Sequence, residues 1–330
     1  MCCLFGLIDV NRGFTAQEKS MILNVLGTAC EKRGTDATGI AYNYKGKLRI
    51  YKRPLPAHKL NMQIPAEVKV IMGHTRMTTQ GSAQKGANNH PFRGYTQDGR
   101  FALAHNGILY NDTILRHELS LPETKIETDS YVAVQMIEQQ KTLQPSSLRF
   151  MAEQLEGPFT FTVLDEDDRL YIVKGDNPMC LYRFESGFFL YASTQEILDI
   201  ALKALGMIHL KHRQISIEAG EILTIYPSGK MENDVFKMPD RFSLWDRYSI
   251  WTPKTKSPVK YTEYHQDLLR FGEELGIPAM ELQCLEDLDL TDMDLENAIL
   301  DNDFRRELLF SVGYYDEGGW LDEYTSCYTW

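Results

Sequence analysis

The sequence opens Met-Cys-Cys-Leu-Phe-Gly, and the two thiols at its start are the first residues able to do chemistry. A disulfide between neighbours Cys2 and Cys3 is disfavoured, because adjacent cysteines rarely reach the required geometry without distorting the peptide between them. A different chemistry is open to Cys2. With Met1 removed, which a small residue at position two permits, Cys2 carries a free α-amine close to its own thiol. That amine has a pKa of about 7.7–8.0, so near neutrality part of it is unprotonated and can take the thiol proton, directly or through a water. Nucleophile and base then share one residue. Cys3, the next residue along a strand, faces the other way and is expected as a small core side chain. Many chains begin Met-Cys without any such role, so the rest of the sequence has to supply the pocket.

The elements that would position Cys2 can be read from periodicity and caps. "LFGLIDV" is apolar enough for a buried strand. Thr15 and Glu18 form a capping box for a helix whose apolar face is Ile22, Val25, Leu26 and Ala29. "GIAYNYKGKLRIYKR" predicts a hairpin turning at Lys45-Gly46. "EVKVIMG" and "RFALAHNG" are two further short strands, "ETDSYVAVQMIEQQ" a helix opened by Thr128 or Asp129, and "SSLRFMAEQLEG" a helix closed by Gly157. Strand pairs follow in "FTFTVLDEDDRLYIVKG" and "CLYRFESGFFLYAS". A helix capped by Ser193 and Glu196 and a last strand "EILTIYP" complete the series. Strands, helices and strands in that order predict a layered α+β fold with largely antiparallel sheets, without the strict alternation of a doubly wound fold.

Composition narrows the class. The 330 residues are 43% hydrophobic and 25% charged, ordinary values for a folded chain. The six cysteines are scattered, with neither a CxxC pair nor zinc-ligand spacing, and are expected as reduced thiols in the cytoplasm. No apolar run reaches the length of a membrane span, so no membrane is expected as a partner. From Glu281 to the end, fourteen acidic residues stand against Arg305 and Arg306, a local charge of −12 that leaves the remainder near +1. Neither part has the basic stripe that nucleic acid requires. Past residue 230 the texture turns to aromatics, turn residues and acidic leucine-bearing segments. Two domains are therefore expected: 1–230, and an acidic extension 231–330 that either docks on a partner or forms a solvated cap.

Four stretches, "CCLFG" at 2–6, "RGTDATGIA" at 33–41, "GHTRMTTQG" at 73–81 and "LAHNGILYN" at 103–111, occur in an order and spacing that resemble the class II glutamine amidotransferases. "ETDS", "EGPFTF", "YASTQEI" and "AGEILTI" extend the likeness to about residue 228. That family consists of N-terminal-nucleophile hydrolases. The resemblance implies their αββα sandwich, in which two largely antiparallel sheets lie between helical layers, here with a C-terminal extension.

The resemblance also implies site roles. Cys2 would be the nucleophile, and Asn106 and Gly107 the oxyanion hole, their N–H groups facing the oxygen on which charge develops. Taken alone, His105-Asn106-Gly107 reads as a tight turn. Arg76 would grip the α-carboxylate of L-glutamine with its planar fork; taken alone it is a solvated charge. Asp129 would pair with the α-ammonium, and taken alone is a helix N-cap; the two roles are compatible. Thr79 and Gln80 would line the same pocket. Met77 stands where many family members carry Trp or another large residue, and Gln80 where they carry His, which bears on closure over the substrate. Arg33, Gly34, Asp36 and Gly39 are assigned to positioning. His74, His90 and His105 are expected as structural hydrogen-bonders.

The implied reaction releases glutamate and ammonia and needs neither metal nor cofactor. The C-terminal residues show no pyrophosphatase loop, P-loop, or sugar-isomerase or phosphoribosyl-transfer pattern. The ammonia acceptor is therefore expected on a separate synthase subunit, if it exists. Two other functions fit the same residues less closely: an N-terminal-nucleophile hydrolase of a different amide, and a catalytically idle binding module.

Overall fold

The structure, a computed structural model, describes residues 2–238, 263–288, 290 and 292–311. The chain divides into two compact units, residues 1–244 and 245–330.

In the first unit, one sheet holds β1 (Cys3–Asp9), β2 (Ala37–Tyr44), β3 (Lys47–Arg53), β4 (Val70–Arg76), β9 (Cys180–Phe184), β10 (Phe188–Ala192) and β11 (His212–Ile215). The other holds β5 (Phe92–Thr96), β6 (Gly99–Gly107), β7 (Phe159–Asp165), β8 (Leu170–Lys174), β12 (Glu221–Ile225) and β13 (Met231–Val235). Their orders are β11-β9-β10-β1-β4-β2-β3 and β13-β12-β8-β7-β6-β5, and every neighbouring pair is antiparallel. Helices α1 (Ala16–Cys30) and α5 (Gln195–Ala204) cover the outer face of the first sheet. Helices α2 (Asp112–Glu118), α3 (Tyr131–Gln139) and α4 (Pro145–Gln154) cover that of the second. This is the αββα sandwich expected from the sequence.

Side-chain alternation sorts β1 between two cores. Cys3, Phe5 and Leu7 pack with Ile22, Leu26 and Leu198 under the helices. Leu4 and Ile8 pack with Met72, Ala102, Ala104 and Leu164 between the sheets. Coverage of both faces explains why all seven residues of β1 are buried and why its sequence is a continuous apolar run. The Thr15–Glu18 capping box forms as expected, Thr15 Oγ1 accepting from Glu18 N at 3.2 Å and Glu18 Oε2 from Thr15 N at 2.8 Å. Lys19 of α1 is buried beside Asp9 of β1 at 3.1 Å and also donates to the Ala66 carbonyl at 2.6 Å, joining helix to strand.

Several boundaries differ from expectation. Helix α5 is capped by Thr194, not Ser193. Ser193 is buried, and its hydroxyl accepts the Leu4 N–H at 2.9 Å, so the β1 backbone claims it. Helix α3 starts at Tyr131, and neither Thr128 nor Asp129 caps it. Strands β5 and β11 and helix α2 carry too few apolar residues to be read from periodicity. The second sheet continues past residue 230, since β13 pairs with β12 over five residues. The N-terminal hairpin turns at Lys45-Gly46 with φ of 50° and 67°, as a two-residue turn between twisted strands requires.

The second unit contains, among the described residues, α6 (Glu263–Glu274), α7 (Ala279–Asp287), α8 (Asp292–Leu300) and α9 (Asn302–Ser311). Leu268, Leu282, Leu285, Leu295, Ile299 and Leu309 form its own apolar cluster. Arg305 is buried there against Glu281 at 3.1 Å. The leucines interleaved with acids thus serve a core. The aromatic stretch 241–262 and the acidic end 312–330 lie outside the described residues. Among the described residues no helix is long and apolar enough to cross a membrane.

Gly39 of β2 packs closely against the segment that leads into β5. A Cβ there would stand 2.1 Å from the His90 carbonyl oxygen. Gly39→Ala is therefore expected to destabilise the first unit by about 3 kcal/mol, measured as a lower urea midpoint; a midpoint equal to that of the parent chain would contradict this packing.

Candidate active site

The register of β1 against β4 brings the first site residues together. Cys3 stands opposite Thr75 and Leu4 opposite His74, so extending the antiparallel pairing by one residue sets Cys2 across from Arg76. Alternation places both, with His74, on the face that looks toward the second sheet. The Arg33 side chain donates from Nε to the Cys2 carbonyl at 2.9 Å, and Asp36 Oδ2 accepts the Thr78 N–H at 2.7 Å. These two bonds account for part of the "RGTDATGIA" stretch: it holds the chain start and the loop after β4.

From the second sheet comes the end of β6. Gly107 has φ of +153°, and a Cβ there would stand 2.0 Å from the Pro158 oxygen. No side chain fits. The Asn106 side chain is fully buried, and neither its Nδ2 nor its Oδ1 has a hydrogen-bond partner. Its carbonyl is held by Asn177 Nδ2 at 2.8 Å.

Cys2, Arg76, Thr79, Gln80, Gly107 and Asp129 line one small pocket, joined there by Met77, His90, His105, Thr128 and Ser130. Asn106 is the one proposed site residue outside that lining, one position inward from Gly107. The Cys2 Sγ lies 3.5 Å from the Met77 carbonyl oxygen, and burial pushes its thiol pKa up.

The pocket carries charge of both signs. Arg76 is 3% exposed, and its guanidinium donates only to neutral oxygens: Asn89 Oδ1 at 2.6 Å, Gly81 O at 3.1 Å and Gln80 O. A buried cation with neutral partners is set to receive an anion. Asp129 is 5% exposed; its Oδ2 accepts the Leu109 N–H at 2.7 Å and its Oδ1 the Ser130 hydroxyl at 3.1 Å. Burial raises its carboxyl pKa. Its bond to Leu109 ties α3 to the segment after Gly107, a different task from the helix cap it also resembles in sequence. Gln80 is exposed, and its Oε1 accepts the Asp129 N–H at 2.7 Å. Thr79 is likewise exposed on the pocket rim.

The three histidines lie together. His74 and His90 rings are 4.2 Å apart, and His90 and His105 are 6.5 Å apart. His74 Nε2 donates to the His105 carbonyl at 2.9 Å, and His105 Nδ1 bonds Ser130 Oγ at 2.8 Å. These two are hydrogen-bonders as expected. His90 is not: neither of its ring nitrogens has a partner. Burial holds His74 and His105 down to about 3 and His90 well below its ordinary range, so all three rings are neutral near pH 7. Asn89 and Asn177, which brace the site, carried no signal of their own in the sequence, and Ser130 carried one only as the last residue of the "ETDS" stretch. Among the described residues, no group of three or more His, Cys, Asp or Glu could hold a metal ion.

The fold is a two-sheet sandwich similar to that of the N-terminal-nucleophile amidotransferases. A family model described as a glutamine amidotransferase domain matches residues 74–199. The glutamine–fructose-6-phosphate aminotransferase of Listeria innocua is 29% identical over 193 residues, covering 56% of this chain and 31% of that protein. That of Bacillus cereus is 28% identical over 233 residues, covering 68% and 37%. Among solved structures, the glutamine phosphoribosylpyrophosphate amidotransferase from B. subtilis, complexed with ADP and GMP, superposes with a TM-score of 0.55 at 24% identity, covering 72% of this chain and 50% of that one. A structure described as the allosteric regulatory enzyme of purine biosynthesis gives 0.57 at 23% identity, with 73% and 50% covered. The chain thus carries, over residues 74–199, a stretch that matches the glutamine amidotransferase domain. It spans about a third of the length of the curated relatives it matches.

The buried imidazoles make stability depend on pH. Each is neutral in the fold and protonates in the unfolded chain below about 6.5, so the unfolded state binds more protons as pH falls. Stability is full above that value and is lost on acidification, at up to about 1.4 kcal/mol per pH unit for each histidine. The urea midpoint is expected to fall between pH 6.5 and 5, above the range of most carboxylates; a constant midpoint across that interval would contradict the neutral cluster.

Proposed function

We propose that the chain hydrolyses the side-chain amide of L-glutamine to glutamate and ammonia, with Cys2 as nucleophile and its own α-amine as base once Met1 is removed. The observation that carries this reading is the pairing in one pocket of a buried cation, Arg76, and a buried carboxylate, Asp129, beside a thiol. Opposite charges a few residues' width apart suit a free amino-acid head group, whose carboxylate and ammonium they would each neutralise. An acylase substrate with a blocked amine has no use for Asp129.

In this mechanism the α-amine takes the Cys2 proton and the thiolate sulfur attacks the amide carbon. The oxygen that becomes negative is met by the Gly107 N–H and the Asn106 Nδ2, the latter supported by its lack of any other partner. The α-ammonium returns its proton to the amide nitrogen, the C–N bond breaks, and ammonia leaves. Water, deprotonated by the same amine, then cleaves the thioester to glutamate and free thiol. Thr79 and Gln80, on the exposed loop after Arg76, would close over the substrate; the Gln80 bond to the Asp129 N–H supports that position for it.

Ammonia would pass to an acceptor on another chain, a separate synthase subunit. The described cysteines are all unbridged, and a thiol nucleophile suits the reducing cytoplasm.

A glutaminase assay tests the reading. Arg76→Lys, which keeps the charge and loses the planar fork, is expected to raise the KM for L-glutamine at least tenfold with little change in kcat. Cys2→Ala, or retention of Met1, is expected to abolish turnover. A normal KM in the Arg76 variant, or full activity in chain still bearing Met1, would refute it.

A further inference from the structure

The direction of the hydrogen bonds around Asp129 settles which nitrogen of His105 carries its proton. Asp129 is a carboxylate and can only accept, so Ser130 Oγ donates to its Oδ1 at 3.1 Å. The Ser130 oxygen, its one proton spent, accepts from His105 Nδ1 at 2.8 Å. His105 therefore holds its proton on Nδ1 and leaves Nε2 as a bare acceptor. That Nε2 is buried and has no hydrogen-bond partner. It lies against Gly107, where an added Cβ would stand 2.6 Å from it. His105, Ser130, Asp129 and Gly107 all line the pocket that contains Cys2.

A buried acceptor without a donor is destabilising unless something supplies the donor. Leu109 N–H is engaged with Asp129 Oδ2 and Asn177 Nδ2 with the Asn106 and Pro158 carbonyls, and the two unpartnered donors nearby, Asn106 Nδ2 and the Thr128 hydroxyl, do not bond Nε2. The ring stacks on Phe161, with centroids 4.4 Å apart at 16°, so it is fixed in orientation. Burial holds its pKa near 3, so the lone pair on Nε2 is present throughout the physiological range.

We propose that His105 Nε2 and the Asp129 carboxylate together form a receptor for a protonated primary amine, the α-ammonium of the substrate, and that Ser130 is the positioning residue that sets the tautomer of His105 for this task. An ammonium group brings three N–H donors and no acceptor, which matches an acceptor-only end of the pocket. One carboxylate neutralises the charge; the neutral imidazole adds a directed bond that an uncharged or acylated amine does not satisfy equally. This rests on reading the pocket as an amino-acid amide site, and it adds to that reading two residues, His105 and Ser130, that select for the free amine.

The test uses full-length chain carrying Cys2→Ala to stop turnover, with 15N-labelled histidine. L-Glutamine is compared with 4-carbamoylbutanoate, the same molecule lacking the α-amine. The free chain is expected to show His105 protonated on Nδ1, with an Nε2 resonance typical of a bare imidazole nitrogen. L-Glutamine is expected to shift that resonance upfield, and the desamino ligand to leave it in place. Ser130→Ala, added to this background, is expected to weaken L-glutamine binding at least tenfold while leaving 4-carbamoylbutanoate unchanged, and Ser130→Thr to restore the difference. A proton on Nε2 in the free chain, an unmoved Nε2 resonance in chain saturated with L-glutamine, or equal loss of both ligands on Ser130→Ala would each overturn the inference. Absence of L-glutamine binding altogether would instead bring down the functional reading beneath it.

Discussion

The antiparallel register of β1 against β4 is the constraint on which the site depends. It sets Cys3 opposite Thr75, and so puts the chain start across from Arg76. Because side chains alternate, the same register sends Cys2 and Arg76 toward the second sheet and Cys3 toward α1, where it meets Cys30. A slip of one residue would exchange the two thiols between core and cleft. The register is held by what surrounds it: Leu4 and Ile8 packed between the sheets, Phe5 and Leu7 packed under the helices, and the Leu4 N–H fixed by Ser193. The folded core and the placement of Cys2 are one set of interactions.

The site itself departs from the rule that buried polar groups find partners. Asn106 has both side-chain atoms unpaired, His90 both ring nitrogens, His105 its Nε2 and Thr128 its hydroxyl. Apart from Asn106, all of these residues line the pocket. Elsewhere in the same unit Lys19, equally buried, has an ion pair and carbonyl acceptors, and the remaining unpaired atoms are single ones on Asn43, Arg149, Thr162 and Tyr191. Grouping of most of the unpaired donors and acceptors in one place is the pattern of a site whose partners arrive with a ligand, at a cost in stability that the apolar cores offset. The pairing of Arg76 with neutral oxygens, while a carboxylate lies elsewhere in the pocket, fits the same description.

Much of the architecture was legible in the sequence because it rests on local signals. The capping box at Thr15, the Lys45-Gly46 turn and the apolar runs of β1, β4, β6 and β7 each report their own element. The order of strands and helices led to a layered α+β fold with largely antiparallel sheets, and the motif strings led to the family resemblance and, through it, to the sandwich. What stayed hidden is what depends on non-local contact. β5 and β11 are short and half polar, so their pairing partners define them rather than their composition. Ser193 looked like a helix cap because the strand that takes its hydroxyl lies almost two hundred positions away in sequence. His90 and His105 could be placed near the motifs but not given a tautomer or an unpaired nitrogen, since these follow from Ser130 and from burial. The leucines after residue 281 read as a solvated or docking face, and Leu282, Leu285, Leu295 and Leu309 close a small helical core instead, while Leu300 stays exposed.

The account stands or falls on Cys2 being the residue that attacks a glutamine-shaped substrate from a free chain start. The most direct measurement is mass spectrometry of the purified protein after reaction with an electrophilic L-glutamine analogue such as a diazoketone. The account predicts a single adduct on Cys2, in chain that has lost Met1, with Cys3 and Cys30 unmodified and with protection by excess L-glutamine. An adduct on a different side chain, or labelling of Cys2 that proceeds equally with Met1 in place, would contradict it.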